Sequence, residues 1–119
     1  MNPTHLAFFL LVGHFALDYP LQGDTTAREK NPGSRSELQK HVPWYYWMVA
    51  HALMHAGAVA ILTQSAVFTV AEFASHFALD YSKCRNKISI HQDQLGHLLM
   101  KLLYVLVFVL TDTVPGQIY

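Results

Sequence analysis

The hexapeptide His-Phe-Ala-Leu-Asp-Tyr occurs twice, as His14 to Tyr19 and as His76 to Tyr81, and each copy sets a histidine four residues before an aspartate. On a helix the side chains at i and i+4 project from one face, so each copy is a two-pronged clip for a metal ion. Two further pairs share the spacing, His51 with His55 and Asp93 with His97. Imidazole and carboxylate without thiolate suit Zn, Fe, Mn or Ni, and the excess of histidine favours Zn or Fe over Mg. Eight donors exceed the roughly four of one tetrahedral zinc, so the natural count is two divalent ions. Bundles whose facing helices supply ligands to two metals follow the same logic with a different motif.

These residues sit in apolar sequence. The chain has 119 residues, 52% hydrophobic and 13% charged, with zero formal net charge, which bounds it to one domain with no electrostatic footprint for nucleic acid. Its eight histidines equal its lysines plus arginines, yet they are dispersed through apolar runs rather than gathered in a tract. The single cysteine, Cys84, excludes an intrachain disulfide framework.

Four apolar segments carry the four pairs: about His5 to Tyr19, Trp44 to Thr63, Ser65 to Tyr81 and Leu95 to Leu110. The first is apolar all round between Leu6 and Val12, where a helix of a soluble bundle shows a polar face, and Lys101 is the only charge in the fourth. Each approaches the roughly 20 residues that cross about 30 Å of hydrocarbon, the first and third with help from flanking residues or local thinning. The expected fold is all-α, a four-helix transmembrane bundle forming a single membrane domain over residues 1–119. It consists of two tandem helical hairpins, about 5–63 and about 65–112, related by a pseudo-twofold axis along the membrane normal. Met1-Asn2-Pro3-Thr4 lacks a basic n-region, so the first segment is read as a span rather than a cleaved signal.

Arg28, Lys30, Arg35 and Lys40 lie between the first two segments and Lys83, Arg85 and Lys87 between the last two, whereas the turn near Gln64 and both tails have no lysine or arginine. The positive-inside rule then puts the two basic loops in the cytoplasm and both termini outside the inner membrane. Trp44, Tyr45, Tyr46 and Trp47, with Tyr19 and Tyr81, are interface anchors on the loop side. The long first loop, with turns expected at Gly23 to Lys30 and Ser36 to Lys40 around a break at Asn31-Pro32-Gly33, is read as a connector; the alternative is a lid over the cytosolic mouth.

In this topology all four pairs fall in the cytosolic half. Asp at the centre of a span costs at least about 2.5–3.5 kcal/mol, so eight such groups must face inward and pair. Structural His–Asp hydrogen bonds, a water-filled proton or ion path and metal coordination compete, and four pairs converging at one level favour metal.

The repeats differ at one place. Glu72 lies a turn before His76, and its counterpart in the first repeat is Leu10. Glu72 could be a ninth ligand, an acceptor behind a ligand or a general base to a metal-bound water; the plainer alternative is a partner for Lys101 or for a buried histidine. Gln22 and Gln94 could orient ligands, and Lys83 and Lys101 could meet an anionic group. His5, at the far face, and His41 and His91, in loops, are excluded from the site.

Leu11-Val12-Gly13-His14-x-x-x-Asp18-Tyr19-x-Leu21-Gln22, His51-x-x-x-His55, His76-x-x-x-Asp80-x-x-Lys83 and Asp93-Gln94-x-x-His97 together resemble the small bacterial and phage membrane proteins of domain-of-unknown-function 3307. The resemblance covers nearly the whole chain and implies an integral membrane protein without assigning an activity. A looser likeness to membrane-bound metal-dependent hydrolases, which also repeat HxxxD-like pairs on apolar helices, implies an enzyme by analogy. On that reading a metal-activated water attacks a phosphoester or amide at headgroup level, with Glu72 shuttling protons and Lys83 steadying the anion. The competing reading is a metal-stapled structural or interaction protein, phage- or host-encoded; a homo-oligomer is compatible with either.

Overall fold

The computed structural model describes residues 2–118, which form five helices and no strand: α1 (Pro3–Asp18), α2 (Gly23–Glu29), α3 (Trp44–Thr63), α4 (Ala66–Cys84) and α5 (Ile90–Thr111). Short 3₁₀ turns at Pro32–Ser34 and Leu38–Lys40 break the loop after α2. The four long helices form a ring in which α1 and α4 each pack against both α3 and α5, and α2 lies on α3. Helix starts follow local chemistry. Asn2 accepts from Thr4 N at 2.8 Å with Pro3 in the first turn, Ser65 accepts from Phe68 N at 3.0 Å, and Ser89 forms a reciprocal capping box with Gln92. That box starts α5 at Ile90, earlier than the apolar run, and puts the exposed His91 in its first turn rather than in a loop.

Helices α3 and α5, at 20 and 22 residues, are long and apolar enough to cross a membrane. Helix α1 has 16 residues, roughly 24 Å at about 1.5 Å per residue, and α4 carries Glu72, Asp80 and Lys83; neither meets that measure alone. The four-span expectation thus reduces here to an all-α bundle with two such helices.

The distribution of polarity is inverted. Among the described residues thirteen buried side chains are polar or charged against nine that are hydrophobic. Phe8, Phe9, Val12, Leu53, Ile61, Val70, Leu102, Leu106 and Leu110 instead stand exposed on the outside. Soluble monomers rarely expose contiguous apolar surface beyond a few hundred Å².

The interior has two halves. Leu6, Leu10, Val59, Phe68, Tyr104 and Phe108 form an apolar cluster in the half near the α3–α4 turn, and the histidines and aspartates fill the half near the loops. At the first end the tail is strapped to the turn: Ala66 N donates to Gly116 O and Ile118 N to Gln64 O, each at 2.8 Å, and Ser65 Oγ donates to Pro115 O.

Candidate metal centre

Each long helix delivers its pair on the inward stripe. In α1 this stripe is Leu6, Leu10, His14; in α4 it is Phe68, Glu72, His76, Asp80; α3 contributes His51 and His55, and α5 Asp93, His97 and Lys101. Five imidazoles from four helices form one cluster, with rings of His55 and His76 stacked at 3.7 Å and His76 and His97 at 4.2 Å between centroids.

Two groups of donors within this cluster could hold a metal ion: Asp18 with His51, His55 and His76, and His14 with His76 and His97. Around Asp18 Oδ1 the Nε2 atoms of His55, His51 and His76 stand at 2.9, 3.1 and 3.7 Å. These separations bracket about 3.3 Å, the ligand-to-ligand edge of a tetrahedron with metal bonds of about 2.0–2.1 Å. The His51 contact is a hydrogen bond. At His55 the approach is close but misdirected, and its Nε2 has no hydrogen-bond partner.

Gln94 fixes the second group. Its amide nitrogen donates to Asp18 Oδ2 at 3.0 Å, because a carboxylate can only accept, so its oxygen must face His14 Nε2, 2.9 Å away. His14 therefore carries its proton on Nε2 and leaves Nδ1 as a buried lone pair without a partner. Asp93 Oδ1 does the same for His97, accepting from Nε2 at 3.1 Å and leaving Nδ1 as the lone pair. His76, fully buried, has no hydrogen-bond partner at either nitrogen.

Six of the eight sequence candidates thus gather in the two groups. Asp80 and Asp93 lie beside them. Asp80 Oδ2 accepts from Lys30 Nζ at 2.6 Å, its Oδ1 is 3.1 Å from Lys83 Nζ, and Oδ2 is 3.6 Å from His51 Nε2. Asp93 Oδ2 is 3.7 Å from Lys83 Nζ. Lys83 faces these two carboxylates. Glu72 accepts from Lys101 Nζ at Oε1 and from Tyr104 Oη at Oε2, 3.0 Å, with His76 Nδ1 3.7 Å away. The plainer alternative for Glu72, a partner for Lys101, is therefore the arrangement found.

Sequence reasoning left out Lys30, a loop lysine. It is buried, and besides Asp80 it donates to Gln22 Oε1 at 2.5 Å. The loop that carries it is internally bonded: Gln39 Nε2 donates to Glu29 O and Asn31 O at 2.9 and 2.8 Å, and Ser34 Oγ to Arg28 O at 2.7 Å. The buried Glu29 carboxylate accepts from Ser36 Oγ and from Arg28 Nε. The Ser36 hydroxyl, and after it the Arg28 guanidinium, hold that carboxyl below the usual glutamate range against the opposing effect of burial. The loop connects α1 to α3 and also sends Lys30 inward to the site, and no periodicity could have joined Lys30 to an aspartate fifty positions away.

No curated protein and no solved structure matches the chain. A family model, described as "Protein of unknown function (DUF3307)", matches residues 6–118. The motif order that suggested this resemblance is embedded in that match, and the chain belongs to the DUF3307 family.

Proposed function

We propose that this is an integral membrane metalloenzyme, a hydrolase that uses divalent transition metal, Zn, Fe or Mn, in the loop-side half of a four-helix bundle. The exposed apolar belt over polar interior supports the membrane part, with α1 and α4 completing their spans through packing on α3 and α5. Under the positive-inside rule the loop between α1 and α3 and the turn carrying Arg85 and Lys87 face the cytoplasm.

One observation carries the metal: His76 is buried with both nitrogens unpartnered, and the His14 and His55 rings add one unpartnered nitrogen each. Leaving such groups unsatisfied costs about 1–3 kcal/mol apiece, more in hydrocarbon, and an ion removes that cost. Asp18, His51, His55 and His76 would hold one ion, giving up the proton between His51 and Asp18 on binding. A second would be held by His14 and His97, with His76 where that ring is not committed to the first, since a neutral imidazole has one lone pair to give.

Catalysis is favoured by the second group. A group of three imidazoles would leave a fourth position for water, the pattern of catalytic zinc, whereas the four donors around Asp18, when His76 serves there, would close that site as structural sites are closed. That closed group is also what favours the second reading, a metal staple without turnover. Glu72, tied to Lys101 and Tyr104 and 3.7 Å from His76 Nδ1, serves in this reading as an ion-pair partner, and the proton-shuttle alternative would require it to leave Lys101. The test is elemental analysis of detergent-purified protein with phosphodiester and phosphomonoester assays. One to two equivalents of metal, with turnover lost in His97→Ala while about one equivalent stays bound, is expected; no metal in protein purified without chelator rejects the reading.

A further inference from the structure

The mouth of the site is closed by two ammoniums on one carboxylate. Lys30 comes from the loop and Lys83 from α4, and they address opposite oxygens of Asp80, at 2.6 and 3.1 Å. Both side chains are largely withdrawn from solvent, with 4% and 27% exposure, so neither is a free surface lysine. Two donors clasping the two oxygens of an anion are the contacts a phosphate requires.

Charge gives this pair a purpose. Apart from Glu29, which Arg28 neutralises within the loop, the cluster holds four carboxylates, Asp18, Glu72, Asp80 and Asp93, against three ammoniums, Lys30, Lys83 and Lys101. With neutral imidazoles it carries one net negative charge. One divalent ion reverses that to one positive, and two leave three positive charges in a low-dielectric setting that penalises each. An incoming dianion offsets two of them.

We infer that Lys30 and Lys83 form a phosphate-binding clamp in which Asp80 is the resident surrogate, exchanged for the phosphoryl group of the substrate. Of the two substrate classes the site could hydrolyse, this selects the phosphoester over the amide. Displaced from Lys30, the Asp80 carboxylate has His51 within 3.6 Å and turns towards the metal side. The inference rests on the hydrolase reading for the fate of the phosphoester, but phosphate binding at the clamp is measurable without turnover.

The experiment titrates inorganic phosphate into detergent-purified protein by calorimetry, with metal content measured on the same samples. Wild type binds phosphate. Lys30→Gln/Lys83→Gln retains its metal and weakens phosphate by about tenfold or more, the effect of losing charge-assisted hydrogen bonds. Asp80→Asn removes the surrogate and tightens it, a gain that a misfolded variant cannot imitate. Competition by bilayers containing phosphatidic acid, but not by phosphatidylcholine alone, identifies the source as a lipid headgroup; indifference to both identifies a soluble phosphoester. Absence of phosphate binding in wild type overturns the clamp, as does equal affinity in all three proteins, which would locate phosphate on the metal alone. Metal-free protein that keeps the opposite responses of the two variants sinks the metal reading and retains the clamp.

Discussion

Glu72 and Lys101 form a buried ion pair at positions that the first hairpin fills with Leu10 and Val59. The offset that aligns His14 with His76 aligns Leu10 with Glu72, and the one that aligns His55 with His97 aligns Val59 with Lys101. One repeat therefore shows the apolar solution to a place where the other keeps two charges. Glu72→Gln strands the Lys101 ammonium and should destabilise by about 3–5 kcal/mol, whereas Glu72→Leu/Lys101→Val should restore or exceed the parent melting temperature. Thermal melts in one detergent check both. A double variant no better than the single would mean that the pair stabilises the fold in its own right.

Removal of metal should loosen the loop-side half selectively. Dialysis against a chelator is expected to lower the melting temperature and to raise amide exchange in the second half of α1 and the first half of α3, leaving the residues around Phe68 and Phe108 protected. Uniform protection before and after chelation contradicts a metal centre at Asp18.

Asp18→Asn and His97→Ala should separate the two ions. The first variant removes the carboxylate shared by three imidazoles and the anchor of Gln94, so both ions are lost. In the second only the three-imidazole group is broken. Metal-to-protein ratios near zero and near one are expected, and identical ratios count against two sites.

Cysteines placed at Ser34 and Asn86 should react with an impermeant thiol reagent from the cytoplasmic side, and one at Gln117 from the opposite side. Opposite sidedness for Ser34 and Asn86 rules out the arrangement of hairpins described here.

Acid should release the loop. Because the folded Glu29 carboxyl is held below its ordinary value, its contribution is complete above about 4.5 and declines as pH falls through the lower folded value. Proteolysis within residues 23–42 should therefore accelerate below that pH, and Ser36→Ala should move the onset upward. A pH-independent cleavage rate argues against Glu29 as the tether.

Much of this was legible in spacing. The i, i+4 pairs put each donor on an inward stripe, and the limits of α3 follow from Pro43 before it and the polar Gln64-Ser65 after it. Helix α5 begins earlier than its apolar run because Ser89 and Gln92 cap a polar first turn. Spacing could not say which inward carboxylates meet imidazoles and which meet lysines. Asp18 and Asp80 occupy the same place in identical hexapeptides, yet Asp18 faces three histidines and Asp80 faces Lys30 and Lys83. Lys83, at i+3 from Asp80 on α4 where the first repeat has Leu21, was visible in the spacing, whereas Lys30 was not, since it comes from the loop after a short helix held by Gln39 and Ser36.

The strapped tail and the apolar cluster beneath it make the polar chamber a blind well. Its floor is the Glu72–Lys101 pair with Tyr104, its far end is sewn shut between Gln64 and Ile118, and Lys30 closes the loop side through Asp80. On the hydrolase reading proposed above, whatever is admitted would enter and leave past Lys30 and Lys83.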